Sequence, residues 1–132
     1  MNLKAVAVVA VAVLMGACAA NRTAPIRNVA DSPVAGVSGQ TMTLTDVERA
    51  IRRAGAGLGW SMRTVKPGLI EGTLVVRTHS ATVDIPYTLK SYSIQYKTST
   101  NLPADGNVIH QNYNGWVENL DKSIRLQLLA VN

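Results

Sequence analysis

The chain has 132 residues, a formal net charge of +5 at pH 7 and a single cysteine. This length is enough for one domain of ordinary size and not for several. The positive charge falls short of the dense basic patches by which proteins hold nucleic acid, so we expect no nucleic-acid partner. With one cysteine, no disulfide can form within the chain. Phenylalanine is absent, so two tryptophans and four tyrosines supply all the aromatic bulk.

The first residues have the three parts of an export signal. Lys4 supplies a positive charge, residues 5–15 form an unbroken apolar run, and Gly16 and Ala17 are small. A charged start, an apolar middle and a small-residue exit are typical of secretory signal peptides. The apolar run is shorter than the roughly 18 to 20 residues that span a bilayer. We therefore predict a removable signal over residues 1–17 rather than a transmembrane helix.

The end of this signal, Leu14-Met15-Gly16-Ala17-Cys18, resembles the lipobox of bacterial lipoproteins, although Met15 stands where leucine is usual. The resemblance implies that the signal is cut before Cys18 and that Cys18 and its new amino group carry acyl chains. The residue after Cys18 is Ala19, and the absence of aspartate at this position resembles lipoproteins that are sent on to the outer membrane, in a host that has two membranes. There the protein would face the periplasm. The chain as a whole looks like small proteobacterial lipoproteins, which implies no particular activity. The alternative is an ordinary signal peptide that releases a free periplasmic protein.

Residues 18–41 contain two prolines, Pro25 and Pro33, and show no lasting helical or strand periodicity. We predict that this segment is a lipidated cysteine followed by a flexible tether, and that the folded domain occupies residues 42–132. About 20 tether residues would reach roughly 25 Å. Such a reach would lift the domain clear of the lipid headgroups.

The first predicted helix begins at Thr45-Asp46-Val47-Glu48, which fits a capping box in which the threonine hydroxyl caps a free amide. Apolar residues follow at helical spacing and end at Gly55 and Gly57, which favour a stop. These apolar residues are Val47, Ala50, Ile51 and Ala54. A helix this short needs a packing partner to be stable.

The apolar period then changes to two, which predicts four strands, near residues 58–62, 70–76, 81–87 and 92–96. Lys66-Pro67-Gly68 is a turn signal between the first two strands. We place the next turn near His79-Ser80. Close turns between neighbouring strands predict an antiparallel meander with one apolar face and one polar face.

A second helix is predicted from about Ile109 or Gln111. Its apolar stripe consists of Tyr113, Val117, Leu120, Ile124 and Leu128. The order helix, four strands, helix predicts an α+β fold, in which a four-stranded antiparallel sheet packs against two helices in a two-layer sandwich. An alternative wraps the strands further around the last helix, as in helix-grip folds.

The densest cluster of polar and aromatic residues surrounds the start of the second helix. We expect a ligand site there for a sugar, a peptide or a polar lipid headgroup, if the domain has one. The candidate residues are His79, His110, Asn112, Tyr113, Asn114 and Trp116. The alternative is structural: Asn112 or Asn114 caps the helix, while Tyr113 and Trp116 belong to the core.

Enzymatic chemistry has little support in the sequence. His79, Ser80 and Asp84 spell the residue types of a hydrolytic triad, but neighbouring residues on a strand point to opposite faces. The two histidines lie far apart in the sequence, and no cysteine or cluster of carboxylates accompanies them, so we expect no metal and no cofactor. We therefore expect a non-enzymatic envelope lipoprotein with an accessory or binding role, and the alternative is an envelope hydrolase that uses His79 or His110.

A third hypothesis concerns the polar side of the first helix. Arg49, Arg52 and Arg53 lie there and would attract anionic lipid or lipopolysaccharide near a membrane. The simpler interpretation is a solvated helix face on which Glu48 and Arg52 form a favourable pair one turn apart. The partners expected from the sequence are thus a membrane, through the lipid on Cys18, and an envelope component of unknown identity.

Overall fold

A computed structural model describes residues 22–36 and 40–131. The predicted signal peptide and the predicted lipidation site Cys18 lie outside the described residues. The described part contains two helices and eight strands. In chain order these are β1 (Thr23–Pro25), β2 (Val29–Pro33), α1 (Leu44–Gly57), β3 (Ser61–Lys66), β4 (Leu69–Val76), β5 (His79–Pro86), β6 (Ser91–Thr100), β7 (Ala104–Asp105), β8 (Val108–His110) and α2 (Gln111–Leu129).

The strands form two antiparallel sheets. The larger sheet has five strands in the order β2-β6-β5-β4-β3, and the smaller has three in the order β1-β8-β7. The predicted α+β class and the β3–β6 meander are confirmed, but the prediction of a single four-stranded sheet is wrong. The additional strand of the large sheet is β2, and β1 with β7 and β8 makes a sheet that was not predicted.

Strands β1 and β2 lie in the segment that was predicted to be a tether. β1 pairs with β8, so that Thr23 lies opposite His110, and β2 pairs with β6 through a bulge between Val29 and Ser32. Residues 23–25 and 29–33, which lie in the segment 18–41 that was predicted to hold a flexible tether, are therefore strands. Both strands are short, each ends in a proline, and β2 buries only Ser32. They consequently lack the alternation by which strands are recognised.

Two of the hairpin turns illustrate how local sequence determines register. Pro67 and Gly68 form the β3–β4 turn as predicted, and Gly68 adopts a φ of +89°, which residues with a Cβ rarely adopt. The β4–β5 turn was predicted near His79-Ser80 but lies at residues 77–78, because His79 already pairs with Val76. Arg77 accordingly takes a positive φ of 57° at a position where glycine is usual.

Helix α1 begins earlier than predicted. Its N-cap is Thr43, whose hydroxyl accepts a hydrogen bond from the amide of Asp46, while the Asp46 carboxylate accepts one from the amide of Thr43. The predicted capping box of Thr45 with Glu48 is wrong by two residues. The sequence offers two possible capping boxes, Thr43 with Asp46 and Thr45 with Glu48. Aspartate three residues after a threonine can form the same two reciprocal hydrogen bonds as glutamate does.

One hydrophobic core joins both helices to one face of the five-stranded sheet. Alternate residues of β4 and β5 are buried, among them Ile70, Val83 and Ile85, while the residues between them form the more exposed face. The start of α2 at Gln111 is confirmed, as is its buried stripe. That stripe is Tyr113, Val117, Leu120, Ile124 and Leu128. The core therefore fixes α2 against the sheet, with its first turn directed towards the small sheet that contains β8.

Candidate functional site

An open cavity of about 610 Å³ lies where the β4–β5 turn, the loop after β6 and the beginning of α2 meet. Its polar lining consists of Arg22, Arg77, His79, Asn101, His110 and Asn112. The rest of its wall is apolar or aromatic and consists of Val76, Leu102, Pro103 and Trp116. Residues far apart in the sequence thus meet because β1 pairs with β8 and β8 leads directly into α2.

Four of the six candidate residues from the sequence line this cavity: His79, His110, Asn112 and Trp116. Tyr113 does not, because it is fully buried, with its ring edge-on to Tyr96 at 5.4 Å between centroids. Burial raises the pKa of its phenol, whose oxygen has no hydrogen-bond partner among the described residues. Tyr113 is therefore a core residue.

Asn114 also has a structural role. Its side-chain oxygen accepts a hydrogen bond from the amide of Arg27 at 2.9 Å, and its side-chain nitrogen donates to the carbonyl of Pro25 at 2.8 Å. These bonds hold the connection between β1 and β2 against α2. Asn114 therefore supports the N-terminal strands from outside the cavity.

His110 is the N-cap of α2. Its Nδ1 accepts a hydrogen bond from the amide of Asn112 at 3.2 Å, so the expectation that Asn112 or Asn114 caps the helix is wrong. Because Nδ1 accepts, the proton of the neutral ring is on Nε2. His110 thus keeps one N–H donor for a ligand.

His79 is held by the loop after β6. Its Nδ1 lies 2.5 Å from the carbonyl oxygen of Asn101, and since a carbonyl only accepts, Nδ1 is the donor. The Asn101 side chain donates in turn to the carbonyl of Thr78 at 2.8 Å. The neutral His79 ring therefore keeps Nε2 as an acceptor, whereas the neutral His110 ring keeps a donor. Together the two rings can receive and supply hydrogen bonds to one polar ligand.

Sequence reasoning missed the two arginines of the cavity. Arg22 lies in the segment predicted to be a tether, and Arg77 was not among the candidate residues from the sequence. Neither forms an ion pair with another described residue. The signal for Arg77 is its place two residues before His79 in a hairpin turn, whereas no local signal marks Arg22, which reaches the cavity through strand pairing.

The residues of the suggested hydrolytic triad are not assembled. The carboxylate of Asp84 lies 3.7 Å from the ammonium nitrogen of Lys97 on the sheet. Neither Asp84 nor Ser80 lines the cavity. His79 is oriented by a backbone carbonyl rather than by a carboxylate. Among the described residues, those that line the cavity include no serine, cysteine, lysine or carboxylate.

The arginines of α1 lie at a separate groove of about 470 Å³. Arg49 pairs with Asp46 and Arg52 pairs with Glu48, each at 3.6 Å, and Glu48 itself lines the groove. The positive charge of this face is therefore partly neutralised. That arrangement fits a solvated helix face.

Within the described ranges, no helix is both long and apolar enough to cross a membrane. No group of three or more histidine, cysteine or carboxylate side chains that could hold a metal ion occurs in the described part of the chain. Comparison with protein-family models, with curated proteins and with solved structures gives no match to this chain.

Proposed function

We propose that the chain is a lipid-anchored protein of the cell envelope, held in the outer membrane by acyl chains on Cys18 and facing the periplasm. Its folded part binds another envelope component and has an accessory rather than a catalytic role. The cavity at the start of α2 carries the proposal for binding, because it combines arginines, histidines, side-chain amides and the indole of Trp116. Such groups recognise polar ligands by hydrogen bonds, charge and ring contact.

The composition of the cavity lining favours binding over hydrolysis. Covalent catalysis needs a nucleophile beside a base, and acid–base catalysis usually pairs a histidine with an orienting carboxylate. The cavity supplies two imidazoles without either companion among its described lining residues. A polar ligand held by His79 and His110 would meet groups that can orient it but none that attacks it.

Support for the lipid anchor comes from the residues that end the signal. Small Gly16 and Ala17 directly precede the sole thiol of the chain, Cys18. In an oxidising compartment a lone free thiol is reactive, and acylation removes it. Each acyl CH₂ that enters the bilayer contributes about 0.8 kcal/mol, so several chains anchor a protein durably where one chain does not.

The anchor is tested by growing cells with an alkyne analogue of palmitate and measuring the mass of the N-terminal peptide. We expect the wild type to be labelled and to begin at Cys18 with an added lipid mass. Cys18→Ser should be unlabelled and should retain residues 1–17. An unlabelled wild type, or equal labelling of Cys18→Ser, would contradict the proposal.

The binding role is tested by photo-crosslinking in living cells. A photoreactive amino acid is placed at Asn112, which lines the cavity, and in a control protein at Glu118, which is exposed on α2 outside it. We expect a crosslinked envelope component from position 112 alone. Absence of any product from position 112, or the same products from both positions, would count against a cavity ligand.

A second candidate is an envelope hydrolase, which the shared cavity of His79 and His110 favours. It predicts that the protein cleaves an activated ester or phosphate ester faster than buffer does, and that His79→Gln or His110→Gln abolishes this activity. Rates equal to those of buffer for the wild type would eliminate the hydrolase.

A further inference from the structure

The cavity lies close to the residue that would carry the lipid. Arg22 lines the cavity, and its carbonyl oxygen accepts a hydrogen bond from the amide of Gln111 at 2.7 Å. Arg22 is four residues after Cys18. Since a chain advances at most about 3.3–3.6 Å per residue, four residues span no more than about 14 Å. The cavity is thus far nearer to Cys18 than the predicted 25 Å tether would place it.

The charge of the cavity has one sign. Arg22 and Arg77 are the charged residues among its described lining, and no carboxylate lies there. The arginines of α1 provide a contrast, because Arg49 and Arg52 have acidic partners. An anion that approaches the protein therefore finds two uncompensated guanidinium groups at the cavity, whereas at the α1 groove Glu48 is present and two of the three arginines are paired, Arg53 alone having no acidic partner among the described residues.

We propose that the cavity binds the anionic, phosphate-bearing headgroup of a lipid in the same membrane that holds the N-terminal anchor. This inference depends on the proposed function, because acylation of Cys18 is what keeps the cavity near the bilayer. Guanidinium groups bind phosphate oxygens through paired hydrogen bonds, which suits Arg22 and Arg77. The Nε2–H of His110 supplies a further donor for headgroup oxygens.

Trp116 adds a contact suited to the edge of a bilayer. Its side chain is partly buried against the core and also lines the cavity. Indole rings are enriched at membrane interfaces, where one part of the ring is apolar and the N–H is hydrated. The acyl anchor and the headgroup contact together would fix which side of the domain faces the membrane.

The test uses the mature lipidated protein in a neutral, phosphate-free detergent and counts bound lipids by native mass spectrometry. The probes are phosphatidylglycerol, zwitterionic phosphatidylcholine, and glycerol phosphate as the headgroup without acyl chains. We expect phosphatidylglycerol to bind about tenfold more tightly than either of the other two. Equal binding of phosphatidylcholine would overturn the proposal, and equal binding of glycerol phosphate would identify a free-phosphate site instead.

Two cavity variants and one matched control test the residues. Arg77→Gly removes the guanidinium at a φ of 57°, a conformation that glycine adopts freely, so the fold should be kept. Arg22→Gln removes the other guanidinium group of the cavity. We expect each to weaken phosphatidylglycerol binding about fivefold or more, since an arginine near an anionic surface contributes about that factor. Arg53→Gln removes the same charge from α1 and should change binding less than about twofold.

The outcomes separate this inference from the function on which it depends. An acylated wild type whose phosphatidylglycerol binding is unaffected by Arg22→Gln and Arg77→Gly would leave the lipoprotein proposal intact and refute the headgroup site. The same conclusion follows if Arg53→Gln weakens binding as much as Arg77→Gly does. An unacylated wild type refutes the proposed function itself. Thermal unfolding of each variant verifies that a loss of binding is not a loss of fold.

Discussion

At the scale of single residues, the interior contains a buried carboxylate, that of Asp121, which is 4% exposed. It accepts a hydrogen bond from the hydroxyl of Tyr92 at 2.5 Å and pairs with Arg125. A buried carboxylate is costly without such partners, because it has left water. These contacts connect α2 to β6, the strand that lies between β2 and β5.

We predict that Tyr92→Phe lowers the free energy of unfolding by about 1.5–3 kcal/mol, as expected for a lost hydrogen bond to a charged group. The matched control is Tyr96→Phe, which removes a hydroxyl that shares a hydrogen bond with Ser99 at 2.9 Å at a partly buried site. That variant should cost about 1 kcal/mol or less. Urea denaturation measures both, and equal losses would show that the buried carboxylate adds nothing.

The same tyrosine makes stability depend on alkaline pH. Burial, together with the hydrogen bond to Asp121, raises the pKa of the Tyr92 phenol from 10.0 to about 12. Because the folded pKa is the higher one, this stabilisation is complete below about pH 10 and is lost as the pH rises towards 12. Tyr92→Phe should therefore flatten part of the decline in stability over that range.

On the exposed face of the sheet, Glu71 makes stability depend on acid pH. Hydrogen bonds from Lys97 at 2.5 Å and from Arg63 at 3.0 Å lower the pKa of the Glu71 carboxyl from 4.5. A lowered folded pKa stabilises the protein above about pH 4.5, and the contribution is lost as the pH falls below that value. Glu71→Gln should consequently show a smaller loss of stability between about pH 7 and about pH 3 than the wild type does.

The control for this prediction is Glu118→Gln. Glu118 pairs with Lys122 at 3.4 Å on the exposed surface of α2, where both side chains are about half exposed or more. Exposed pairs of this kind contribute little to stability. If Glu118→Gln and Glu71→Gln change the loss of stability at acid pH equally, Lys97 and Arg63 do not stabilise the ionised Glu71 carboxylate more than an ordinary exposed pair would.

At the scale of secondary structure, the cap of α1 can be tested directly. Thr43→Ala removes the hydroxyl that accepts from the amide of Asp46 and should lower the free energy of unfolding by about 1 kcal/mol. Thr45→Ala alters the threonine that the sequence favoured, which is exposed inside the helix. Alanine has the higher helix propensity, so this variant should be neutral or slightly stabilising. A greater loss for Thr45→Ala would place the cap where the sequence indicated.

The elements that the sequence predicts correctly are those whose apolar period extends over several residues. Strands β4 and β5 alternate, and α2 carries a stripe from Tyr113 to Leu128, so packing and pattern agree. The pattern misses the short hairpin of β7 and β8, and it misses β1 and β2, whose partners lie 58 or more residues away in β8 and β6. Pairing over such distances depends on the finished fold, which local preference does not encode.

The candidate site divides in the same way. His110, Asn112 and Trp116 could be grouped from the sequence because polar and aromatic residues cluster around the start of an amphipathic helix. Arg22 could not, since only the pairing of β1 with β8 brings it to the cavity. Tyr113 and Asn114 share the composition of the cluster, but the helical turn directs Tyr113 into the core and Asn114 towards the β1–β2 connection.

At the scale of the whole molecule, strand β1 determines how far the domain can lie from Cys18, the proposed site of acylation. A domain that began near residue 42 would move freely over roughly 25 Å, whereas β1 brings Arg22, the residue before it, to within about 14 Å of Cys18. If Cys18 is acylated as proposed, the short distance would keep the cavity at a high effective concentration of lipid headgroups. The N-terminal strands thus connect the fold to the proposed membrane contact.

This connection predicts the effect of a longer linker between Cys18 and β1. Inserting about 20 glycine and serine residues between Ala20 and Asn21 adds a reach of roughly 25 Å without interrupting β1. Thermal unfolding should be unchanged, because no described pairing is cut. In vesicles that contain phosphatidylglycerol, photo-crosslinking from position 112 to lipid should fall, since the effective concentration of headgroups at the cavity decreases.

A matched insertion separates this length effect from damage to the fold. The same residues placed within β2, between Ala30 and Asp31, leave the distance from Cys18 to Arg22 unchanged but interrupt the pairing of β2 with β6. This protein should unfold more easily while any folded fraction still crosslinks to lipid. If the protein with the longer linker crosslinks to lipid as strongly as the wild type does, the cavity reaches headgroups without help from a close anchor. In that case attraction by Arg22 and Arg77 alone would have to hold the domain at the bilayer, and raising the salt concentration should then abolish the crosslink.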